Sequence, residues 1–121
     1  MENINIKSQH GHLFTCNKCN KFHFEFNQIA IDFSSVKALE NFQNYLIEIN
    51  GEEFELLNID TFYNRKIHIP FPNTAIKMVL SQNDLKELKV LVTNFINHYK
   101  RAQEDTRMLK NLSIISEKQL N

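Results

Sequence analysis

Glycine, proline and tryptophan are scarce in this sequence of 121 residues, which has two glycines, two prolines and no tryptophan. Loops that cradle phosphate groups need glycine, because their backbone must approach the ligand closely. The chain also has no G-x-S-x-G, G-x-x-x-x-G-K-[ST], G-x-G-x-x-G or H-E-x-x-H motif. The sequence therefore indicates no class of enzyme, and we expect a protein that binds rather than catalyses.

The chain also lacks an excess of either charge, since 14 basic and 14 acidic residues give a formal net charge of zero. A domain that grips nucleic acid through many phosphates is usually strongly basic, so nucleic acid is a partner that the charge does not favour. No apolar run approaches the roughly 18 residues that cross a membrane. The first residues have neither the basic nor the apolar region of a signal peptide. We therefore expect a cytoplasmic protein with no membrane partner.

Cysteine occurs only twice, as Cys16 and Cys19. In the reducing cytoplasm a structural disulfide between them is not expected. A C-x-x-C turn instead places two thiolates within reach of one metal ion, and a closed tetrahedral zinc site needs two further ligands. His10, His12 and His23 lie nearby, and the first two share one side of an extended strand. The sequence thus predicts a structural zinc site made of both cysteines and two of these histidines.

Two other interpretations of the cysteine pair remain open. A thioredoxin-like redox pair normally opens a helix, whereas Cys19 here leads into an apparent strand. Alternatively the two thiols are free and bind nothing. A catalytic metal would need an open coordination position and a general base; Glu25 is the nearest acid in sequence to this segment, and nothing else supports catalysis.

Apolar and polar residues alternate over residues 22–26 and again over 29–33, which predicts two strands joined by a turn at Asn27-Gln28. Apolar residues then recur every three or four positions over residues 36–49, which predicts a helix that begins after a serine cap. Gly51 is expected to end this helix in the left-handed conformation.

The same order of elements follows a second time. Alternation over residues 67–71 and 76–80 predicts another hairpin. Ser81 and Asp84 are spaced as a capping box, which predicts the start of a helix with an apolar stripe over residues 83–99.

The predicted fold is therefore of the α+β class: two ββα units in an antiparallel sheet, covered by helices on one face. We expect a single domain over residues 1–121. A Cys/His knuckle and the first unit occupy residues 10–51, the second unit occupies 64–100, and a helical tail occupies 101–121. Residues 52–62 are expected to form a short helix or an irregular link.

The tail has the pattern of an amphipathic helix over residues 103–120. Its apolar stripe comprises Met108, Leu109, Leu112 and Ile115. Such a helix either packs on its own domain or pairs with another chain, so a homodimer through residues 103–120 is one expectation.

The segment from His10 to Phe26 has the form H-G-x-L-x-x-C-x-x-C-x-x-F-x-x-x-F. It resembles an uncharacterised family of small Bacteroidetes proteins, in which an H-G-x-[IL]-x-x-C-x-x-C motif precedes an aromatic-rich strand and a Phe-rich helix. The resemblance extends over roughly residues 10–96. It implies that His10, Cys16 and Cys19 correspond to the family motif, and it implies no established activity.

These observations together predict a small zinc-stabilised module that interacts with another protein. The alternative is a nucleic-acid- or ribosome-associated zinc-knuckle regulator. That alternative would use basic residues of the knuckle and of the last helices, namely Lys18, Lys21, Lys100, Arg101, Arg107 and Lys110.

Overall fold

A computed structural model describes residues 3–120 of the chain, with side chains as far as residue 113. Its strands are β1 (Asn5–Lys7), β2 (Gly11–Thr15), β3 (Phe22–Phe26), β4 (Ile29–Phe33), β5 (Ile67–Pro70) and β6 (Lys77–Leu80). Its helices are α1 (Val36–Glu48), α2 (Gly51–Leu57) and α3 (Gln82–Leu120). The α+β class is confirmed.

Strands β1 to β4 form one antiparallel sheet in chain order. Asn27 has a φ of 54° in the tight turn between β3 and β4, a left-handed conformation that asparagine tolerates well. The turn sets a register in which His23 pairs with Asp32 and Phe24 pairs with Ile31. Because successive side chains of a strand point to opposite faces, the Phe24 row faces the core and the His23 row faces away.

Strands β5 and β6 pair only with each other in a separate two-stranded sheet, whereas the sequence pattern suggested one sheet for both hairpins. The two hairpins belong to separate sheets, with a space between them. Ile29, Ile31, Phe71 and Ile76 are among the residues that line the space between them. Pro70 ends β5, at an edge, where the missing N–H of a proline is tolerated.

The helices cover the inward face of the four-stranded sheet, as the sequence predicted. Phe24 of β3, Leu39 of α1, and Leu88 and Phe95 of α3 are all at most 1% exposed. The ring of Phe22 meets that of Phe95 edge-on, with the centroids 5.9 Å apart. The outward face of this sheet carries the polar side chains of the His23 row, among them the exposed Glu25 and Asp32.

The chain between α1 and α2 differs from the expectation. Ser35 caps α1 by accepting a hydrogen bond from the backbone N–H of Ala38, and α1 ends at Glu48, with Ile49 as its C-cap. Asn50 then caps α2 with its side chain, so Gly51 begins a helix rather than ending one, and no described glycine has a positive φ. A Cβ on Gly51 would lie 2.7 Å from Oε1 of Gln82, so a larger residue here would displace the end of that side chain.

The predicted second helix and the predicted tail helix form one continuous helix, α3. The capping box at its start is confirmed, because Ser81 and Asp84 exchange side-chain to backbone hydrogen bonds of 2.9 and 3.0 Å. No glycine or proline occurs between residues 82 and 120, so nothing in the sequence breaks the helix. The side chain of Ile115, predicted for the apolar stripe, lies outside the described residues.

Across the part of the chain that the structure describes, no helix combines the length and the apolar character required to cross a lipid bilayer.

Candidate metal centre

The turn between β2 and β3 carries both cysteines. Strand β2 ends at Thr15 and β3 begins at Phe22, and between them Asn20 adopts a φ of 52°. The backbone N–H of Lys18 points at Sγ of Cys16, 3.4 Å away. Such a bond favours the charged thiolate over the neutral thiol. The turn thus folds the second cysteine back towards the first.

Strand β3 brings a histidine to the same place. Cys16, Cys19 and His23 each offer one ligand atom, and these three atoms lie within 4.8 Å of one another. Within the group, Sγ of Cys19 lies 3.0 Å from Nε2 of His23. His23 is the second residue of β3 and belongs to the outward row, so its imidazole reaches the turn instead of the core.

Asp32 on β4 orients that imidazole. Its Oδ1 lies 2.7 Å from Nδ1 of His23, because the hairpin register pairs the two residues directly across the strands. A carboxylate can only accept, so Nδ1 carries the proton and Nε2 is left with a lone pair that points at the cysteines. This arrangement of carboxylate, histidine and ligand position is the one that metal-binding histidines usually have.

The electrostatics of the three donors favour partial deprotonation. A hydrogen bond from the Cys19 thiol, helped by the backbone N–H of Lys18, lowers the pKa of Cys16 to about 7. The same contact raises the pKa of Cys19, which keeps its proton between the two sulfurs. The hydrogen bond to Asp32 raises the pKa of His23. A divalent cation would replace the proton shared by the two cysteines and would bind the Nε2 lone pair of His23.

His10, one of the histidines predicted as a ligand, lies elsewhere. Its Nδ1 is 2.7 Å from Oε1 of Glu87, and its backbone N–H donates to Oε2 of the same carboxylate at 2.7 Å. The Glu87 side chain also accepts from Oγ of Ser8 at 2.6 Å. His10 therefore ties the turn between β1 and β2 to helix α3.

His12, another predicted ligand, also points away from the cysteines. Its Nε2 contacts Oδ1 of Asn5 on the neighbouring strand. Its ring lies against that of Phe14, with the centroids 4.5 Å apart. The ring of Phe14 in turn contacts that of His23, with the centroids 5.1 Å apart, so Phe14 lies between the two histidines. Of the five residues predicted from sequence, the structure brings together Cys16, Cys19 and His23.

Asp32 was not among the residues predicted for the site. Its place on the polar face of the sheet follows from the alternation over residues 29–33, but its pairing with His23 follows from the register. A turn of two residues at Asn27-Gln28 fixes that register, so the signal was in the sequence.

The donor set of two sulfurs and one imidazole is suited to zinc, which takes cysteine and histidine ligands in tetrahedral geometry. Both cysteines are free, Cys16 half-buried and Cys19 exposed, so an ion could enter from solvent. The same pair of adjacent thiols would also permit reversible oxidation.

Comparison with models of protein families gives a match over residues 1–119 to a family of unknown function, DUF6686. This result agrees with the expectation of an uncharacterised family. No curated protein and no solved structure matches the chain.

Proposed function

The chain belongs to the family of unknown function DUF6686, and we propose that it is a zinc-stabilised module that binds other proteins. The zinc site is proposed because the ligand atoms of Cys16, Cys19 and His23 lie within 4.8 Å of one another. Asp32 holds the imidazole of His23, with 2.7 Å between Oδ1 and Nδ1. Zinc closes the turn between β2 and β3, in which residues 17–21 are all exposed. The ion therefore contributes to folding free energy, as structural zinc does in other small domains.

Exposed apolar side chains support the interaction with a protein. They lie at the end of α1 and in the segment from α2 to β5, and they are Ile47, Leu56, Leu57, Ile59 and Phe62, each at least 58% exposed. Phe62 is fully exposed, at 104%. Soluble proteins leave single apolar residues exposed without consequence, but several within a short stretch of chain favour a site of contact with another molecule. We call these five residues the apolar surface.

The proposed location is the cytoplasm. Both cysteines are free in the structure, and zinc needs them as reduced thiolates. A reducing compartment maintains that state.

Elemental analysis of the purified, untagged chain tests the zinc. We expect one zinc ion per chain in the wild type, none in the Cys16→Ser/Cys19→Ser variant, and a lower melting temperature of that variant. His98→Ala is the matched control, because His98 is exposed on α3 and does not belong to the group of Cys16, Cys19 and His23. A wild type that binds no metal and melts at the same temperature as the double variant would exclude the site.

Paired substitutions test the interaction. Leu57→Ser/Phe62→Ser should abolish the capture of specific partners from a cell extract while zinc content and melting temperature stay unchanged. Val90→Ser removes an apolar side chain that is 58% exposed on α3, so it controls for a general change of surface polarity. Equal capture by the wild type and the double serine variant would remove the apolar surface from the proposal.

A second candidate function is binding of single-stranded nucleic acid, for example as a ribosome-associated regulator. It is favoured by the row of rings formed by His12, Phe14 and His23 on the outward face of the sheet, with centroid distances of 4.5 and 5.1 Å. Bases stack on such surfaces. Binding of an oligonucleotide that weakens steeply with salt, and that Phe14→Ala abolishes, would favour this function over the first.

We also propose self-association through the tail, residues 103–120. Met108, Leu109 and Leu112 are each more than half exposed on α3, and an apolar stripe on a projecting helix is stable in water when a second helix covers it. Light scattering should give the mass of a dimer for the wild type and of a monomer for Leu109→Lys/Leu112→Lys. A wild-type monomer at high concentration would exclude the dimer.

A further inference from the structure

Three donor atoms from one chain leave a tetrahedral ion with one coordination position to fill. Among the described residues, the cluster around the cysteines has three members, Cys16, Cys19 and His23. We propose that this position takes a thiolate from outside the chain, so that the module recognises a thiol ligand through its metal. This inference rests on the proposed zinc site.

Among the described residues, the two other histidines predicted as ligands are engaged elsewhere. His10 is held by two hydrogen bonds of 2.7 Å to the carboxylate of Glu87 on α3. His12 contacts Asn5 and is separated from His23 by the ring of Phe14. To bind the ion, either histidine would have to give up these contacts and move across the outward face of the sheet.

Asp32, the nearest carboxylate to His23, already has a role. Its Oδ1 accepts the Nδ1 proton of His23. Ligation by Asp32 would break that bond and release the imidazole from the orientation that points Nε2 at Cys19. Asp32 therefore orients His23 and does not bind the ion itself.

The remaining position is open to solvent. Cys19 is exposed and Cys16 is half-buried, and the His23 side chain is 21% exposed. Structural zinc sites are usually closed by four protein ligands, whereas sites with three keep a position for an external ligand.

Charge and donor softness select the class of ligand. An ion of charge two, held by two thiolates and one neutral imidazole, makes a centre of zero net charge that repels no anion. Lys18 and Lys21 flank Cys19 in the same turn, and both side chains are exposed there. A centre that already contains sulfur donors prefers another soft donor, and the soft anionic donor available in cells is a thiolate.

Binding is a ligand substitution without oxidation or reduction. The sulfur of the incoming thiol forms a bond to the metal, its proton passes to solvent, and the solvent molecule in that position leaves. The thiol belongs either to a small molecule or to a cysteine of a partner protein, and the chemistry at the metal is the same for both.

Cobalt(II) in place of zinc makes the coordination visible, because the charge-transfer band of metal–thiolate bonds grows with their number. N-acetylcysteine should raise this band by about half, in the proportion of three metal–thiolate bonds to two. N-acetylserine, which has a hydroxyl in place of the thiol, is the matched probe and should leave the band unchanged. A short peptide with one cysteine, compared with its serine counterpart, distinguishes a protein source from a small-molecule source by the tighter dissociation constant.

His10→Ala and His12→Ala test the premise that neither histidine binds the ion. We expect both variants to keep the cobalt spectrum of the wild type before and after addition of the thiol. A changed spectrum in either variant would show a fourth ligand from the chain and would overturn the inference while leaving the zinc site intact. Release of cobalt by the thiol would overturn it as well. Failure of the wild type to bind any cobalt would instead refute the proposed zinc site itself.

Discussion

Nδ1 of His10 lies 2.7 Å from a carboxylate oxygen of Glu87, and this contact fastens the turn before β2 to helix α3. The two residues are 77 positions apart in the chain, so the bond closes the fold between its beginning and its last helix. The same carboxylate accepts from Oγ of Ser8 at 2.6 Å. A histidine beside a C-x-x-C motif thus has a structural partner that no local pattern reveals.

Replacement of His10 by alanine should therefore destabilise the fold without removing zinc. We expect His10→Ala to lower the free energy of unfolding by about 1 kcal/mol, the usual net contribution of one hydrogen bond. Urea titration measures the loss, and elemental analysis should still give one zinc per chain. Glu87→Gln keeps the size of the partner and should cause a similar loss. If His10→Ala folded normally but bound no zinc, His10 would be a zinc ligand after all.

Asp32 should tune the affinity of the site without changing its stoichiometry. Loss of a carboxylate behind a metal-binding histidine typically weakens metal binding 10- to 100-fold, so we expect a decrease of about this size for Asp32→Asn. Competition with a chromophoric chelator measures it. Glu25→Gln is the control, because Glu25 lies on the same face of β3, two residues beyond His23. A similar decrease in both variants would point to general surface charge and not to orientation of the imidazole.

The fold was largely predictable from local pattern. Alternation over residues 22–26 and 29–33 fixed two strands and their buried faces, and the spacing of Ser81 and Asp84 marked the start of α3. The role of Gly51 was not predictable in this way, since Asn50-Gly51 is equally suited to stop one helix or to start the next. In the structure the Asn50 side chain accepts from the backbone N–H groups of Glu52 and Glu53, so the pair starts α2.

Half of the candidate site was predictable for the same reason. Cys16 and Cys19 are neighbours in sequence, and a turn brings them together whatever the rest of the chain does. The choice among His10, His12 and His23 depends on contacts between distant residues, such as that of His10 with Glu87. Composition and spacing contain no information on those contacts.

The capping box of α3 should make stability depend on pH in acid. Desolvation raises the pKa of Asp84, but the hydrogen bonds from Ser81 and the charge of Arg65 outweigh it, so the pKa lies below its ordinary value of 3.8. A group with a depressed folded-state pKa contributes stability above its unfolded pKa, and that contribution is lost as the pH falls through the folded pKa. We expect Asp84→Asn to cost about 1 kcal/mol at pH 7, and the cost should vanish in strong acid.

Urea titrations from neutral pH down to below pH 3.8 measure this dependence. The titrations are made in the Cys16→Ser/Cys19→Ser variant, because acid releases metal from thiolates and imidazole. In the wild type this loss would add to the change in stability caused by the capping box. Ser81→Ala is the control, since Oγ of Ser81 accepts from the backbone N–H of Asp84 and does not titrate. Its cost should persist in acid. A cost of Asp84→Asn that is the same at every pH would contradict the assignment.

Gly11 follows His10 in the motif, and its lack of a side chain has a packing reason. A Cβ on Gly11 would lie 2.8 Å from Cδ2 of Leu91 and 2.9 Å from Cδ2 of Phe26. Both neighbours are 1% exposed, so neither can move without disturbing the core. We expect Gly11→Ala to lower the free energy of unfolding by about 1–3 kcal/mol, the usual cost of overpacking, while zinc content stays at one per chain.

Gly51→Ala separates this effect from the general replacement of a glycine. The new Cβ would lie 2.7 Å from Oε1 of Gln82 and 3.2 Å from Cδ1 of Ile67. The first neighbour is the end of a flexible, half-buried side chain that can turn away, and alanine is the better helix former at the start of α2. The free energy of unfolding should therefore change much less than in Gly11→Ala. Equal losses in the two variants would show that the crowding by Leu91 and Phe26 does not decide the identity of residue 11.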